Sequence, residues 1–204
     1  MNRSGQKLTG ILLAGGLSRR MGREKGLLRV GCQYLYQYPL QVLEACCDEI
    51  LISSCKEAVL PEHYPTVCDQ IPGIGPMGGI YTCLNRSSND LNVVLSYDLP
   101  LVSKELIDFL MTRMEGYEAV VPFLDEGQPE PLCAVYRKNC RHLFRELIDQ
   151  KEYAVHKVFA KTRTNFVLIG PALSFYRPEM FTNINREEDL GRLPGHNSSA
   201  EYEG

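Results

Sequence analysis

The sequence predicts an α/β protein: a three-layer α/β/α sandwich built on a mostly parallel sheet. Three observations lead there. Short apolar runs alternate with longer amphipathic segments along most of the chain, the pattern of strands joined by crossover helices. The runs at 8–13 and 91–96 are apolar almost throughout, as strands covered on both faces are. Glycines or an acid follow these runs closely (Gly15-Gly16, Asp98), where a parallel sheet opens its ligand crevice. Right-handed crossovers would stack the helices on the two faces.

The elements follow in order. Strands are expected at 8–13, 49–53, 66–68, 91–96, 119–122, 132–136 and 165–169, each a short apolar run bounded by turn residues. Helices are expected at 34–47, 77–85, 104–115, 138–150 and 153–159. Pro39 falls inside the first of these and marks either a late start or a kink. Ser103 precedes Lys104-Glu105-Leu106 as an N-cap. No internal repeat is evident. Residues 1–190 read as a single domain, and from Gly191 the tail turns polar and Gly/Ser-rich, so it is expected to be poorly ordered.

Composition narrows the function classes. The 204 residues suffice for one well-buried domain, and 44% hydrophobic with 23% charged residues is ordinary for a globular chain. A net charge of −3 argues against general nucleic-acid binding. No apolar run approaches the ~20 residues of a membrane span. Met1 to Lys7 lack a signal-peptide core, so a cytoplasmic location is expected. The eight cysteines include no C-x-x-C pair, and reduced structural thiols are expected; Cys55, Cys68, Cys83 and Cys133 lie in or beside apolar segments. His63, His142, His156 and His196 have no ligand spacing and read as surface or loop residues.

The chemistry concentrates in Leu12-Leu13-Ala14-Gly15-Gly16-Leu17-Ser18-Arg19-Arg20-Met21-Gly22-Arg23-Glu24-Lys25. A strand runs into glycines whose backbone N–H groups can face an anion without a Cβ in the way. Arg19, Arg20, Arg23 and Lys25 add full positive charges, Arg as a fork and Lys as a point charge. The combination suits a polyphosphate. It contains no G-x-x-x-x-G-K-[ST], which excludes a Walker-type loop. A plain glycine turn followed by a solvated basic helix is the simpler alternative.

The string resembles the L-A-G-G-x-S-x-R-M-G-x-x-K signature of the molybdenum cofactor guanylyltransferases, within the nucleotide-sugar-pyrophosphorylase-like nucleotidyltransferases. Leu13 to Gly16, Ser18, Arg20, Met21, Gly22 and Lys25 stand in register, and Gly26-Leu27-Leu28 continues the pattern. The resemblance extends from about Thr9 to Leu190. It implies a Rossmann-like sheet of the nucleotide-diphospho-sugar transferase type. It also implies Mg²⁺-dependent transfer of GMP from GTP to the terminal phosphate of molybdopterin, releasing pyrophosphate. Other cofactor-biosynthesis proteins or recipient molybdoenzymes are the partners it implies.

The remaining motifs are placed by the same resemblance. Leu13, Ala14, Gly15, Gly16 and Lys25 would meet GTP, with Arg20 and Lys25 on the triphosphate. Ser53 stands where family members often carry an Asn that contacts the nucleotide. Asp69 would contact the guanosine, although by itself it reads as an Asx-turn. Gly73-Ile74-Gly75-Pro76-Met77-Gly78-Gly79 spells a literal G-x-G-x-x-G. Pro72, Pro76 and the spacing from the strand argue against a dinucleotide fingerprint. It resembles the family's G-P-x-x-G-[IM] loop, which closes over the base, so Gly78 is a nucleotide candidate. Ser96-Tyr97-Asp98-Leu99-Pro100 resembles C-D-x-P, with Tyr97 in place of Cys. Asp98, at the end of a buried strand, is the expected Mg²⁺ ligand and a catalytic candidate.

Gln128-Pro129-Glu130-Pro131-Leu132-Cys133-Ala134-Val135-Tyr136 resembles Q-P-L-C-A-x-Y, which makes Pro131 and Leu132 candidates for the second substrate. Glu130-Pro131 otherwise reads as an extended turn. Phe181-Thr182-Asn183-Ile184-Asn185-Arg186-Glu187-Glu188 resembles F-x-N-[IV]-N-T-P-E and offers Asn183 and Asn185. Asn185 with Glu188 is also a capping box. Three alternatives remain at this point: a cytidylyl or sugar-phosphate relative, a non-catalytic nucleotide-binding domain of the same fold, and, from Gly73 to Gly78, an NAD-dependent oxidoreductase. Cytidylyl relatives commonly show L-A-A-G where this chain has Leu13-Ala14-Gly15-Gly16.

Overall fold

The computed structural model describes residues 5–15, 29–30, 32–54, 63–124, 127–184 and 189. Its elements are β1 (Leu8–Leu13), β2 (Arg29–Val30), β3 (Gln33–Tyr34), α1 (Gln37–Cys46), β4 (Glu49–Ser53), β5 (Thr66–Val67), α2 (Pro76–Arg86), β6 (Leu91–Ser96), α3 (Lys104–Met111), β7 (Ala119–Leu124), β8 (Cys133–Arg137), α4 (Arg141–Asp149) and β9 (Thr164–Ile169). Short 3₁₀ turns cover Lys138–Cys140 and Val155–Ala160.

Seven strands form one sheet in the order β5-β4-β1-β6-β8-β7-β9. β5, β4, β1 and β6 are mutually parallel, as are β7 and β9; β8 lies between the two groups, antiparallel to both. Every residue of β1 and β6 is buried, which their apolar runs require of strands covered on both faces. Leu8, Leu12, Val93 and Leu95 face the layer holding α1 and α3, with Leu43, Leu106 and Leu110 in the same core. Ile11, Leu13 and Val94 face α2 and α4, with Ile80, Leu84, Phe144 and Leu147. Alternation along the strands feeds both cores. No helix of the described residues is long and apolar enough to cross a membrane.

Several boundaries differ from the sequence expectation for local reasons. α1 begins at Gln37 rather than 34, so Pro39 sits in the first turn, where a missing N–H leaves no helical bond unmade. Tyr34 instead lies in β3, which pairs antiparallel with β2, both too short for any periodicity to reveal. α3 ends at Met111, four residues early, and the helix expected at 153–159 is the 3₁₀ turn at Val155–Ala160. β7 runs through Pro122 to Leu124, because its pairing with β8 has stopped by then and no N–H is needed on that side. Cys46, Cys83, Cys133 and Cys140 are buried thiols, but Cys68, expected beside an apolar segment, is exposed. The polar tail from Gly191 lies outside the described residues.

A polar network closes the amino edge of the sheet. Thr9, fully buried on β1, donates to Glu49 Oε2 at 2.5 Å. The Thr9 hydroxyl in turn accepts from Ser87 Oγ (2.9 Å) and Asn89 Nδ2 (3.0 Å). Ser88 donates twice to Glu49, and the Lys138 ammonium reaches the Ser87 carbonyl. Burial alone would raise the Glu49 carboxyl; the bonds from Thr9 and Ser88, with nearby Lys138, outweigh it and hold the group below its ordinary value of 4.5. A depressed carboxyl contributes stability above its unfolded pKa and loses it as pH falls through the folded value. Urea unfolding at pH 7 and below pH 4 should therefore show a smaller acid-dependent loss in Glu49→Gln than in the wild type. Thr9→Val should be less stable at both pH values by about 1–3 kcal/mol, since it strands buried polar partners.

Candidate active site

The four parallel strands end side by side, and backbone bonds hold their exits level. Ala14 N donates to Ser53 O (2.9 Å), joining the exits of β1 and β4. Tyr97 N donates to Leu13 O (3.2 Å), joining β6 to β1, and Ser54 N donates to Val67 O (3.0 Å), joining β4 to β5. The Leu13 carbonyl and the Ala14 N–H are thus engaged within the protein, so these two residues form a floor. Gly15 stands exposed above it. Among the described residues a Cβ on Gly15 would meet only Ser53 O and Oγ, at 3.6 and 3.8 Å.

Ser53, Asp69 and the start of α2 make one corner. Ser53 is 2% exposed and donates to Asp69 Oδ1 at 3.2 Å. Burial pushes the half-buried Asp69 carboxyl up, and the Ser53 bond only partly opposes this. α2 packs close enough that glycine is required: a Cβ on Gly79 would fall 2.4 Å from Ser53 Oγ and 3.2 Å from Leu13 Cδ2. At Gly78 it would fall 2.9 Å from Ile71 O and 3.2 Å from Asp69 Oδ2. The glycine-rich segment therefore lets a helix abut two strand exits. Residues 68–75 separate β5 from α2, so no strand passes directly through a glycine turn into a helix, as a dinucleotide fingerprint needs.

The other corner surrounds Asp98, two residues past β6. Ser103 Oγ caps α3 by accepting from Leu106 N at 3.4 Å, which leaves Asp98 free of that task. The Asp98 carbonyl accepts from Ile184 N (3.0 Å), bringing the segment with the exposed Asn183 to this edge. Its Oδ1 is buried and has no hydrogen-bond partner among the described residues. Burial, then the neighbouring Asp98 carboxylate, pushes the Tyr97 phenol up to about 12. Ser96 N donates to Leu132 O at 2.8 Å, so half-buried Pro131 and Leu132 lie across from the β6 exit. Gly16, Arg20, Lys25 and Asn185 lie outside the described residues.

One residue at this edge was missed by the sequence reading. Glu130, half-buried, has its carboxyl raised first by burial and then by Asp98. Read locally, Glu130-Pro131 is only a turn; its proximity to Asp98 follows from the pairing of β8 with β6, which no local pattern encodes. Among the described residues no three His, Cys, Asp or Glu side chains form a metal-binding group. An orphaned, buried carboxylate oxygen at a strand exit nevertheless suits a hard cation that takes its remaining ligands from phosphates and water.

A parallel half-sheet with acids beyond its carboxyl edge defines an α/β protein with a ligand crevice at the strand exits. Two solved structures share the fold. Molybdopterin-guanine dinucleotide biosynthesis protein A from Archaeoglobus fulgidus aligns with a TM-score of 0.75 at 23% identity, over 90% of this chain and 95% of that one. The 2-C-methyl-D-erythritol 4-phosphate cytidylyltransferase from Thermus thermophilus gives 0.67 at 17% identity, over 89% and 95%. The chain belongs to the MobA-like NTP transferase family, described as "MobA-like NTP transferase domain", whose model matches residues 10–165. It is 36% identical over 193 residues to a probable molybdenum cofactor guanylyltransferase from Thermococcus kodakarensis, covering 91% of this chain and 94% of the relative.

The two glycine environments give opposite expectations. Gly79→Ala should lower stability by about 1–3 kcal/mol in urea unfolding, because relief of the clash breaks the Ser53–Asp69 bond or shifts α2. Gly15→Ala should unfold within about 0.5 kcal/mol of the wild type, since among the described residues its Cβ makes only ordinary contacts.

Proposed function

We propose that this protein transfers GMP from GTP to the terminal phosphate of molybdopterin. Membership of the family and the name of the Thermococcus relative support the reading. The observation in this chain that carries it is the buried Asp98 Oδ1 at the carboxyl edge of the sheet, which has no partner among the described residues.

In this reading an oxygen of the acceptor phosphate attacks the α-phosphorus of GTP. A new P–O bond forms, the bond from the α-phosphorus to the bridging oxygen breaks, and pyrophosphate leaves with the electron pair. The protein supplies no covalent nucleophile; it positions two anions and offsets their charge. Leu13 and Ala14 form the floor under the nucleotide, and the Gly15-Gly16 backbone approaches the phosphates. Arg20 and Lys25 hold the triphosphate. Ser53, Asp69 and Gly78 surround the nucleoside, with Asp69 held in place by Ser53. Pro131, Leu132, Asn183 and Asn185 border the acceptor. Asp98 would hold Mg²⁺, which would supply positive charge to offset that of the phosphates. A cytoplasmic location fits both substrates.

Pyrophosphate release from each Mg-nucleotide in the presence of molybdopterin tests the proposal. GTP should exceed ATP by at least about tenfold in kcat/KM, and CTP by more, because adenine reverses guanine's donor pattern and each ~1.4 kcal/mol is a factor of ten. Equal use of GTP and CTP would refute the guanylyl assignment and leave nucleotidyl transfer standing. Asp98→Asn should fold but lose Mg²⁺-dependent turnover. Lys25→Ala should reduce GTP turnover by a factor on the order of 10². Gly15→Ala should lose GTP turnover without losing stability.

A further inference from the structure

Ser53 ends β4 at the nucleoside corner, and its surroundings decide how it can serve a nucleotide. Its main-chain carbonyl accepts from Ala14 N at 2.9 Å. Its hydroxyl has one proton to give, and gives it to Asp69 Oδ1 at 3.2 Å. The side chain is enclosed from two sides. A Cβ on Gly79 of α2 would stand 2.4 Å from Ser53 Oγ and 3.3 Å from Ser53 Cβ. A Cβ on Gly15, past the β1 exit, would stand 3.8 Å from the same Oγ. Only 2% of Ser53 is exposed, whereas Gly15 is exposed and Asp69 half-buried. A ligand in the crevice reaches those two residues and not the Ser53 hydroxyl.

Asp69 is placed by the same helix. A Cβ on Gly78 would stand 3.2 Å from Asp69 Oδ2, so that oxygen lies against the first turn of α2. The main chain just beyond is anchored too, with Gln70 N donating to Thr82 Oγ1 at 3.0 Å. One carboxylate oxygen is thus fixed by Ser53 and the other by the bare backbone of Gly78, which together set the plane of the group.

We infer that Ser53 is a positioning residue that orients the Asp69 carboxylate and makes no contact with the nucleotide itself. The inference rests on the meeting of Asp69 with the nucleoside proposed above. It deepens that reading by separating the residue that meets the nucleoside from the one behind it. Gly79 belongs to the same device, since a side chain there would push the Ser53 hydroxyl away from Asp69. The device acts on the nucleoside, so a bare triphosphate does not sense it.

Calorimetric titration with Mg-GTP and with Mg-tripolyphosphate tests this on wild type, Ser53→Ala, Asp69→Ala and the double variant. Ser53→Ala should weaken GTP binding about tenfold, the size of one bond to a charged group, and leave tripolyphosphate binding within about twofold. In the Asp69→Ala background the same substitution should change GTP affinity by less than about twofold, because residues acting through one another are not additive. Urea unfolding gives a second readout: Ser53→Ala should recover most of the stability lost in Gly79→Ala, since it removes the atom the new Cβ strikes. An equal loss of GTP affinity with and without Asp69 would overturn the inference, because Ser53 would then touch the nucleotide directly. Wild-type GTP affinity in Ser53→Ala would overturn it too, as would an equal loss of tripolyphosphate binding. A Gly79→Ala defect that Ser53→Ala leaves unchanged would remove Gly79 from the device. Wild-type GTP affinity in Asp69→Ala would instead overturn the reading of Asp69 on which the inference rests.

Discussion

The site depends on β1 being paired residue for residue on both sides. Its partners run in step, Gly10 with Ile50 and Val93, Leu12 with Ile52 and Leu95, Leu13 with Ser53 and Ser96. This sets the exits of β4, β1 and β6 at one height, and the turns beyond them are tied by main-chain bonds at 2.9 and 3.2 Å. A slip of one residue in either pairing would turn every side chain of that strand to the opposite face. Ser53 would leave Asp69, and Leu13 would leave the core it shares with α2. Leu8 and Leu12 on one face of β1, with Ile11 and Leu13 on the other, hold the register from both layers at once.

Above that level the described surface is rich in carboxylates. Asp69 and Glu130 are both raised by burial, and Asp98 lies beside Glu130. A triphosphate entering such an edge would meet repulsion unless cations accompany it. The proposed reading provides them from two sources, the Arg20 and Lys25 side chains that follow Gly16 and a divalent ion on Asp98. Glycine at Gly78 and Gly79 complements this arrangement mechanically. It allows α2 to press against Ser53 and Asp69, so the nucleoside corner is built from packed backbone as well as side chains.

Much of this was legible in the residues. Leu8–Leu13, Glu49–Ser53 and Leu91–Ser96 are short apolar runs, and the strands occupy those residues. Parallel strands deliver their exits to one edge, so Asp98 could be placed at the crevice from its strand end, whereas Ser53 and Asp69 were legible only through the family resemblance. Glu130 could not be placed there, because β8 enters the sheet between β6 and β7, although β7 precedes it in the chain. Spatial order of this kind is set by tertiary pairing and leaves no local signature. The engagement of Ala14 N–H with Ser53 O was equally invisible, as were the two-residue strands β2 and β3. The GxGxxG letters of 73–78 were rightly set aside, since meaning in that motif comes from the strand and helix around it.

The central claim is that nucleotide phosphates and a divalent cation meet at Asp98. The most direct measurement is a crystal structure with Mn²⁺ and a non-hydrolysable GTP analogue, the ion located by its anomalous scattering. The account predicts an anomalous peak within coordinating distance of an Asp98 carboxylate oxygen, touching the analogue's phosphates, with the base beside Asp69. An analogue bound elsewhere, or an ion at the phosphates with Asp98 uninvolved, would contradict it.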